Sequence, residues 1–258
     1  MAAVSLAGST GLVVSIPSSL FACDTSRQNY ATEDKLTLEN SKGSHILTIL
    51  KQCPQIDRIH AFSRRDLPSH SKLTTIASQN PTDWPSTFPH NASALFSALG
   101  TTARIAGSFA AQRKIDYDLN LALAKSAKAA GVNTYVLIST SGASPTSKIP
   151  YARMKGELDE AVKAIGFEHV IILKPGLLVG SREDSRPGEF MGRSMATFLG
   201  KISGGMLKDA WAQDADVVAR AAVRALLDVI EKKNNDGVTV LNQQDVIRLG
   251  RTEWKDFQ

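Results

Sequence analysis

The chain has 258 residues, of which 43% are hydrophobic and 21% charged, with a formal net charge of +5. That suits one globular core with at most a small cap, excludes a disordered polymer, and leaves no apolar run near the ~20 residues a membrane-spanning helix needs. The positive charge is scattered, which reads as a solvated basic surface rather than a nucleic-acid footprint.

In chain order, Ala2 to Ala7 is an apolar run ending at Gly8-Ser-Thr-Gly11, as a buried parallel strand would. Without a basic n-region, this start reads as a first strand and not as a signal or transit peptide. Gly43 to Leu50 opens a helix, Arg58 to Phe62 is a second strand and Lys72 to Ala77 a weaker third. Pro81, Pro85 and Pro89 mark an irregular loop around Trp84. Ala94 to Leu99 is a strand. Tyr117 to Ala130 is a helix closed by Gly131, and Thr134 to Ser139 a strand. Tyr151 to Ile165 is a helix closed by Gly166, and His169 to Leu173 a strand. Ala210 to Lys232 is a long helix and Gly237 to Asn242 a last short strand. Strands alternating with helices predict an α/β fold, a doubly wound parallel sheet with a small substrate or lid region over 177–209. Right-handed crossovers then bring all strand C-termini to one ligand-binding edge.

Residues 14–42 show neither period and are rich in Ser, Thr, Asn and Asp. They separate the first strand and its glycines from the next helix, where so long a loop is uncommon. Joining Val13 to Gly43 gives Gly-Ser-Thr-Gly-Leu-Val-Gly-Ser-His-Ile-Leu, a complete GxxGxxG opening an apolar helix. The same excision brings Arg64 near the ~20-residue offset from the glycine loop that a dinucleotide fold uses. The segment therefore reads as an insertion in a phosphate loop made of Gly8, Ser9, Thr10, Gly11 and Gly43. Val14-Ser15 can be encoded by GTGAGT, and Leu36-Thr37 by a branch-point-like CTAAC, which fits a retained intron; a mature transcript that mainly keeps the segment would exclude it.

Such a loop lets backbone N–H groups and a helix N-terminus meet a pyrophosphate. Ser63 and Arg64 follow the second strand, where arginine suits the 2′-phosphate of NADP and an acidic residue would suit NAD. Leu99, Gly100 and Thr101 close the fourth strand, where a cofactor's ribose and phosphate pass. Tyr151 and Lys155 stand four apart on one helical face, so the lysine can lower the tyrosine pKa and the tyrosine can give a proton to a carbonyl. Ser139, ending a strand at the same edge, can polarise that carbonyl; Ser141 is the alternative. Pro175, in Pro175-Gly176, shapes the nicotinamide floor. The two cysteines, Cys23 and Cys53, show no ligand spacing, and the five histidines share none. This predicts no disulfide framework and no metal site, in a reducing compartment.

These residues resemble an atypical short-chain dehydrogenase/reductase. More narrowly, the chain resembles a fungal family assigned to the mitochondrial outer membrane and is similar to the animal oxidoreductase known as Tat-interacting protein. The resemblance rests on Leu6 to Gly11, Phe62 to Arg65, Leu99 to Thr102, Val136 to Ser139, Tyr151 to Glu157, and Lys174 through Ser185-Arg-Pro-Gly-Glu189. It implies a Rossmann-type fold, NADP(H) as cofactor, and Ser139, Tyr151 and Lys155 as the catalytic set. It also implies peripheral attachment at the cytosolic face of the outer membrane, for which the apolar positions of Phe190 to Leu207 are a candidate contact. Departures are the split phosphate loop and Ala103 where arginine is expected. Three readings follow: an NADPH-dependent reductase of an unknown carbonyl, a non-catalytic NADPH-binding regulatory protein, and a splice product impaired in cofactor binding.

Overall fold

A computed structural model describes residues 2–5, 13–17, 42–90, 92–178, 212–213, 215–233 and 236–257. In chain order the elements are β1 (Ala2–Ser5), β2 (Val13–Pro17), α1 (Lys42–Gln52), β3 (Ile56–Ser63), β4 (Leu73–Ala77), β5 (Ala92–Ser97), α2 (Ala103–Ala106), α3 (Phe109–Arg113) and α4 (Asn120–Ala129). Then come β6 (Thr134–Ile138), α5 (Pro150–Lys163), β7 (His169–Leu173), β8 (Leu177–Leu178), β9 (Ala212–Gln213), α6 (Ala215–Ile230), β10 (Val238–Leu241) and α7 (Gln243–Ile247).

The main sheet runs β4-β3-β1-β5-β6-β7-β10 with every neighbouring pair parallel. The order reverses between β1 and β5, which is the switch point where such sheets bind ligands. Strands buried on both faces explain the continuous apolar runs. In β6 and β7, Val136, Ile138, Ile171 and Leu173 face one core with Ile46 and Leu50 of α1 and Val218, Ala222 and Leu226 of α6. Their alternates Tyr135, Leu137, Val170 and Ile172 face the other with Leu123 of α4 and Leu158 and Val162 of α5. The period of two thus serves two helical layers. The doubly wound α/β expectation holds. Gly131 and Gly166 sit at φ +87° and +81°, the left-handed conformation that ends a helix.

Four details differ from the sequence expectation. The segment 14–42 is ordered into elements at both ends. Val13, Val14 and Ile16 make β2, antiparallel to β5, because β-branched residues favour an extended strand, and Lys42 already opens α1. Residues 18–41 lie outside the described residues. Around Trp84 the chain is not irregular: Pro81–Thr87 is a 3-10 turn capped by Asn80, and Trp84 is fully buried against Phe62. Helical structure begins well before Tyr117: α3 runs through a widened turn, Lys114–Leu119, into α4. There Asn120 Nδ2 donates to the carbonyls of Ile115 (3.3 Å) and Asp116 (3.0 Å), an intrusion into the helical ladder that such bulges accommodate. The last long helix is assigned from Ala215. Of the 177–209 region, Leu177–Leu178 form β8, paired with β9; the remainder lies outside the described residues.

Candidate active site

Parallel strands deliver their last residues to one edge. Ser63 ends β3, Ser97 ends β5, Ser139 follows β6 and Lys174 follows β7. Ser139 is 2% exposed. Its backbone N–H donates to Leu173 O at 2.8 Å, yet its Oγ has no hydrogen-bond partner among the described residues. A buried orphan hydroxyl is costly and becomes useful if a ligand completes it. Ser141, the alternative, is exposed, and its N–H is taken by Pro175 O at 2.8 Å. Ser139 is the better-placed hydroxyl.

Helix α5 starts with Pro150 at its first position, where no backbone donor is lost. Gly156 lets this helix lie directly on the preceding chain: a Cβ there would fall 2.2 Å from Ser144 C. Lys155 is consequently seated against the end of β6. It is 3% exposed and donates from Nζ to Ile138 O at 3.3 Å. Ile138 precedes Ser139, so the lysine and the orphan hydroxyl share one strand end. Tyr151 lies one turn toward the helix start and is 40% exposed. Burial lowers the Lys155 pKa, and the charges of Asp116 and Asp159 work against that shift.

The turn after β5 is held from below. Thr101 N donates to Asp116 Oδ1 at 2.7 Å, and Gln112 Nε2 donates to Thr101 O at 3.0 Å. Asn120 bonds the hydroxyl of Ser97 and lies within 3.5 Å of Leu99 O. Gln112, Asp116 and Asn120 are all buried. Sequence reasoning missed them, although their spacing of four is a polar stripe on one helical face. A polar stripe facing a buried side is the signal that was available.

The structure brings Ser139, Tyr151, Lys155, Leu99, Gly100, Thr101 and Pro175 to this edge. Gly43 is buried in the first turn of α1. Ser63 is 5% exposed with its Oγ accepting from Arg65 N at 3.3 Å, so its hydroxyl already serves the turn, while Arg64 is exposed. Gly8, Ser9, Thr10 and Gly11 lie outside the described residues. No group of three His, Cys, Asp or Glu residues able to hold a metal ion occurs among the described residues, and no helix among them is long and apolar enough to cross a membrane. An orphan hydroxyl at the end of β6, with a buried lysine and a tyrosine on the helix that follows, fits a nicotinamide cofactor.

This sheet order and its two helical layers define a Rossmann-like fold. The fold matches MoeE5 in complex with UDP-glucuronic acid and NAD (TM-score 0.56, 19% identity, 80% of this chain and 73% of that one). It also matches the oxidoreductase YlbE of Lactococcus lactis (TM-score 0.52, 16% identity, 78% and 84%). The family model HIM1 matches residues 69–203. The mitochondrial protein Fmp52-1 of Aspergillus terreus is 47% identical over 219 residues, 81% of this chain and 94% of the relative. The Fmp52 protein of Neurospora crassa, likewise named mitochondrial, is 38% identical over 224 residues, 83% and 93%. The chain belongs to the fungal mitochondrial Fmp52 family.

Proposed function

We propose that the chain is an NADPH-dependent oxidoreductase that reduces a carbonyl compound at the cytosolic face of the mitochondrial outer membrane, bound there peripherally. The observation that carries this reading is the orphan Ser139 hydroxyl at the strand end that seats the buried Lys155, with Tyr151 one turn above. When bound, NADPH supplies the hydride. Tyr151 gives the proton to the carbonyl oxygen, leaving an alcohol. Lys155 favours the tyrosinate by its charge and offers its ammonium to a ribose hydroxyl. Ser139 keeps its proton and donates a hydrogen bond from its hydroxyl to the carbonyl oxygen, which orients and polarises it. The exposed Arg64 beyond β3 supports a 2′-phosphate.

The rim supports an apolar carbonyl substituent. Arg113, the last residue of α3, bonds Glu157 of α5 at 2.7 Å. Ile105 in α2 (62%), Phe109 at the start of α3 (40%) and Ile149, which caps α5 (65%), are exposed.

A second reading, a product impaired in cofactor binding, draws on one fact: a relative covered to 94% by a 219-residue alignment is shorter than this chain, as an insertion at 14–42 requires. Calorimetric titration with NADPH, on this chain and on a version lacking 14–42, separates the readings. Measurable binding by both, weaker for this chain, with steady NADPH oxidation against a panel of aliphatic and aromatic aldehydes and ketones, is expected of the enzyme. Binding only by the shortened version assigns function to the spliced form. Binding without turnover favours a regulatory protein, and no binding by either refutes the cofactor assignment.

A further inference from the structure

We propose that Asp159 and Lys174 are a positioning pair for Lys155: Asp159 sustains the lysine's charge inside the fold, and Lys174 limits how much of the Asp159 charge reaches it. The assignment of a catalytic role to Lys155 rests on the function proposed above; the pairing rests on geometry alone.

Four charged groups from three parts of the fold meet behind the site. Lys155 and Asp159 stand four apart on α5, so they share a face. Asp116 comes from the widened turn between α3 and α4, and Lys174 from the residue after β7. Lys155, Asp116 and Asp159 are 3%, 1% and 1% exposed. Lys174 Nζ lies 3.0 Å from Asp159 Oδ2 and donates to Ala143 O at 2.9 Å. The two cations and two carboxylates sum to zero charge, the condition under which burial is tolerable.

Asp159 is the unusual member. Neither of its carboxylate oxygens takes part in a well-directed hydrogen bond among the described residues. Its close partner is Lys174, whose ammonium lies 3.0 Å away, and its charge also acts on Lys155, one turn earlier on the same helix. A carboxylate held by charge alone divides its field between its neighbours. Removing Lys174 leaves the whole field to Lys155; removing the Asp159 charge leaves two buried ammonium groups without the anion between them. Asp116 faces Lys155 from the opposite helix and is already bonded to Thr101 N, so its contribution stays constant in both changes.

The test is a pH titration of the ligand-free full chain carrying lysine labelled with carbon-13 at Cε, read by NMR. The Lys155 signal is assigned by its loss in Lys155→Met. The expected order of Lys155 midpoints is Asp159→Asn lowest, then Asp159→Asn with Lys174→Met, then the parent, then Lys174→Met highest. Each single change should move the midpoint by at least half a pH unit, about threefold in the protonation equilibrium. Lys174→Arg should restore the parent value. A merely structural role would shift both single variants the same way, or neither, and either result overturns the proposal. If Lys174→Met alone fails to fold, the double variant, which leaves no buried charge unpaired, still has to fall between Asp159→Asn and the parent. Because no cofactor is present, the ordering stands or falls separately from the enzyme reading, which is judged by NADPH oxidation.

Discussion

Replacing Gly156 by alanine tests how α5 is seated. In a helix interior alanine is favoured over glycine by about 1 kcal/mol, so propensity alone predicts stabilisation. The structure predicts the reverse. The added Cβ would lie 2.2 Å from Ser144 C and 2.5 Å from both Ser144 Cα and Pro145 N. These are backbone atoms, held in place by the 3.2 Å bond from Ser144 N to Ala152 O. The helix or the loop must retreat by on the order of 1 Å, and overpacking of this kind costs about 1–3 kcal/mol. Because all the neighbours are backbone, the upper half of that range applies. The net loss is then about 1–2 kcal/mol, and for a chain of this size each kcal/mol lowers Tm by about 2–4 °C. Urea unfolding followed by circular dichroism reads the stability. Since Lys155 is the adjacent residue, the same retreat moves it from Ile138 O, and a 1 Å misplacement can cost on the order of 100-fold in rate. A Gly156→Ala chain as stable as the parent, or more stable, would refute the packing argument.

Tyr151→Phe should lower NADPH-dependent carbonyl reduction by about 10²–10⁴-fold, the range for a positioned general acid, with NADPH affinity unchanged by calorimetry; unchanged turnover would remove Tyr151 from the chemistry. Arg64→Asp should shift preference from NADPH toward NADH by at least about tenfold, the effect of roughly 1.4 kcal/mol, measured as the ratio of the two Kd values. Cys53 is buried, which pushes its thiol up to about 11 from an ordinary 9.0. The unfolded chain releases this proton first, so the folded chain binds more protons between those values and stability falls as pH rises through that window. The slope from one such group approaches 1.4 kcal/mol per pH unit. Tyr135, whose pKa burial also raises, loses stability in the same direction above 10. The comparison is therefore of urea midpoints against pH for the parent and Cys53→Ala, whose shallower decline is expected; parallel curves would show that the thiol does not titrate differentially.

The parts of the fold legible in the sequence were those whose periodicity has one physical origin. β7 matches the expected His169 to Leu173 because Val170 to Leu173 alternate between the two helical layers. Tyr151 and Lys155 were legible because a spacing of four fixes a shared helical face before any packing is known. The charge system behind them was not legible. Asp159 continues the same stripe, but its partner Lys174 is reached only through the pairing of β6 with β7, which no local pattern encodes. Asp116 and Gln112 read as ordinary surface polar residues until the helix is known to turn them under Thr101. Trp84 was obscured for a related reason: three prolines signal a broken chain, whereas Asn80 and Pro81 here start a short helical turn that buries the indole against Phe62.

The segment 14–42 poses a sharper question, because stability and cofactor affinity respond to it on different scales. Helix α1 keeps its place in the core on the far side of that segment: Ile46 and Leu50 are fully buried in the cluster that contains α6. Each such side chain contributes about 1.5–3 kcal/mol on burial, whereas doubling a loop's length costs only about 0.6 kcal/mol. The fold therefore tolerates the added chain. A phosphate cradle has no such tolerance, since it needs the glycine turn after β1 and the N-terminus of the next helix at one place. Each displaced charge-assisted hydrogen bond costs about 1.5–3 kcal/mol, so losing two weakens binding by a hundredfold or more. Removing 14–42 is accordingly expected to change the urea midpoint little while tightening NADPH binding by at least that factor. Equal affinity in the two versions would show that the cradle forms with the segment in place. A large loss of stability on removal would show that β2, whose residues it deletes, belongs to the sheet's support and not to an insertion.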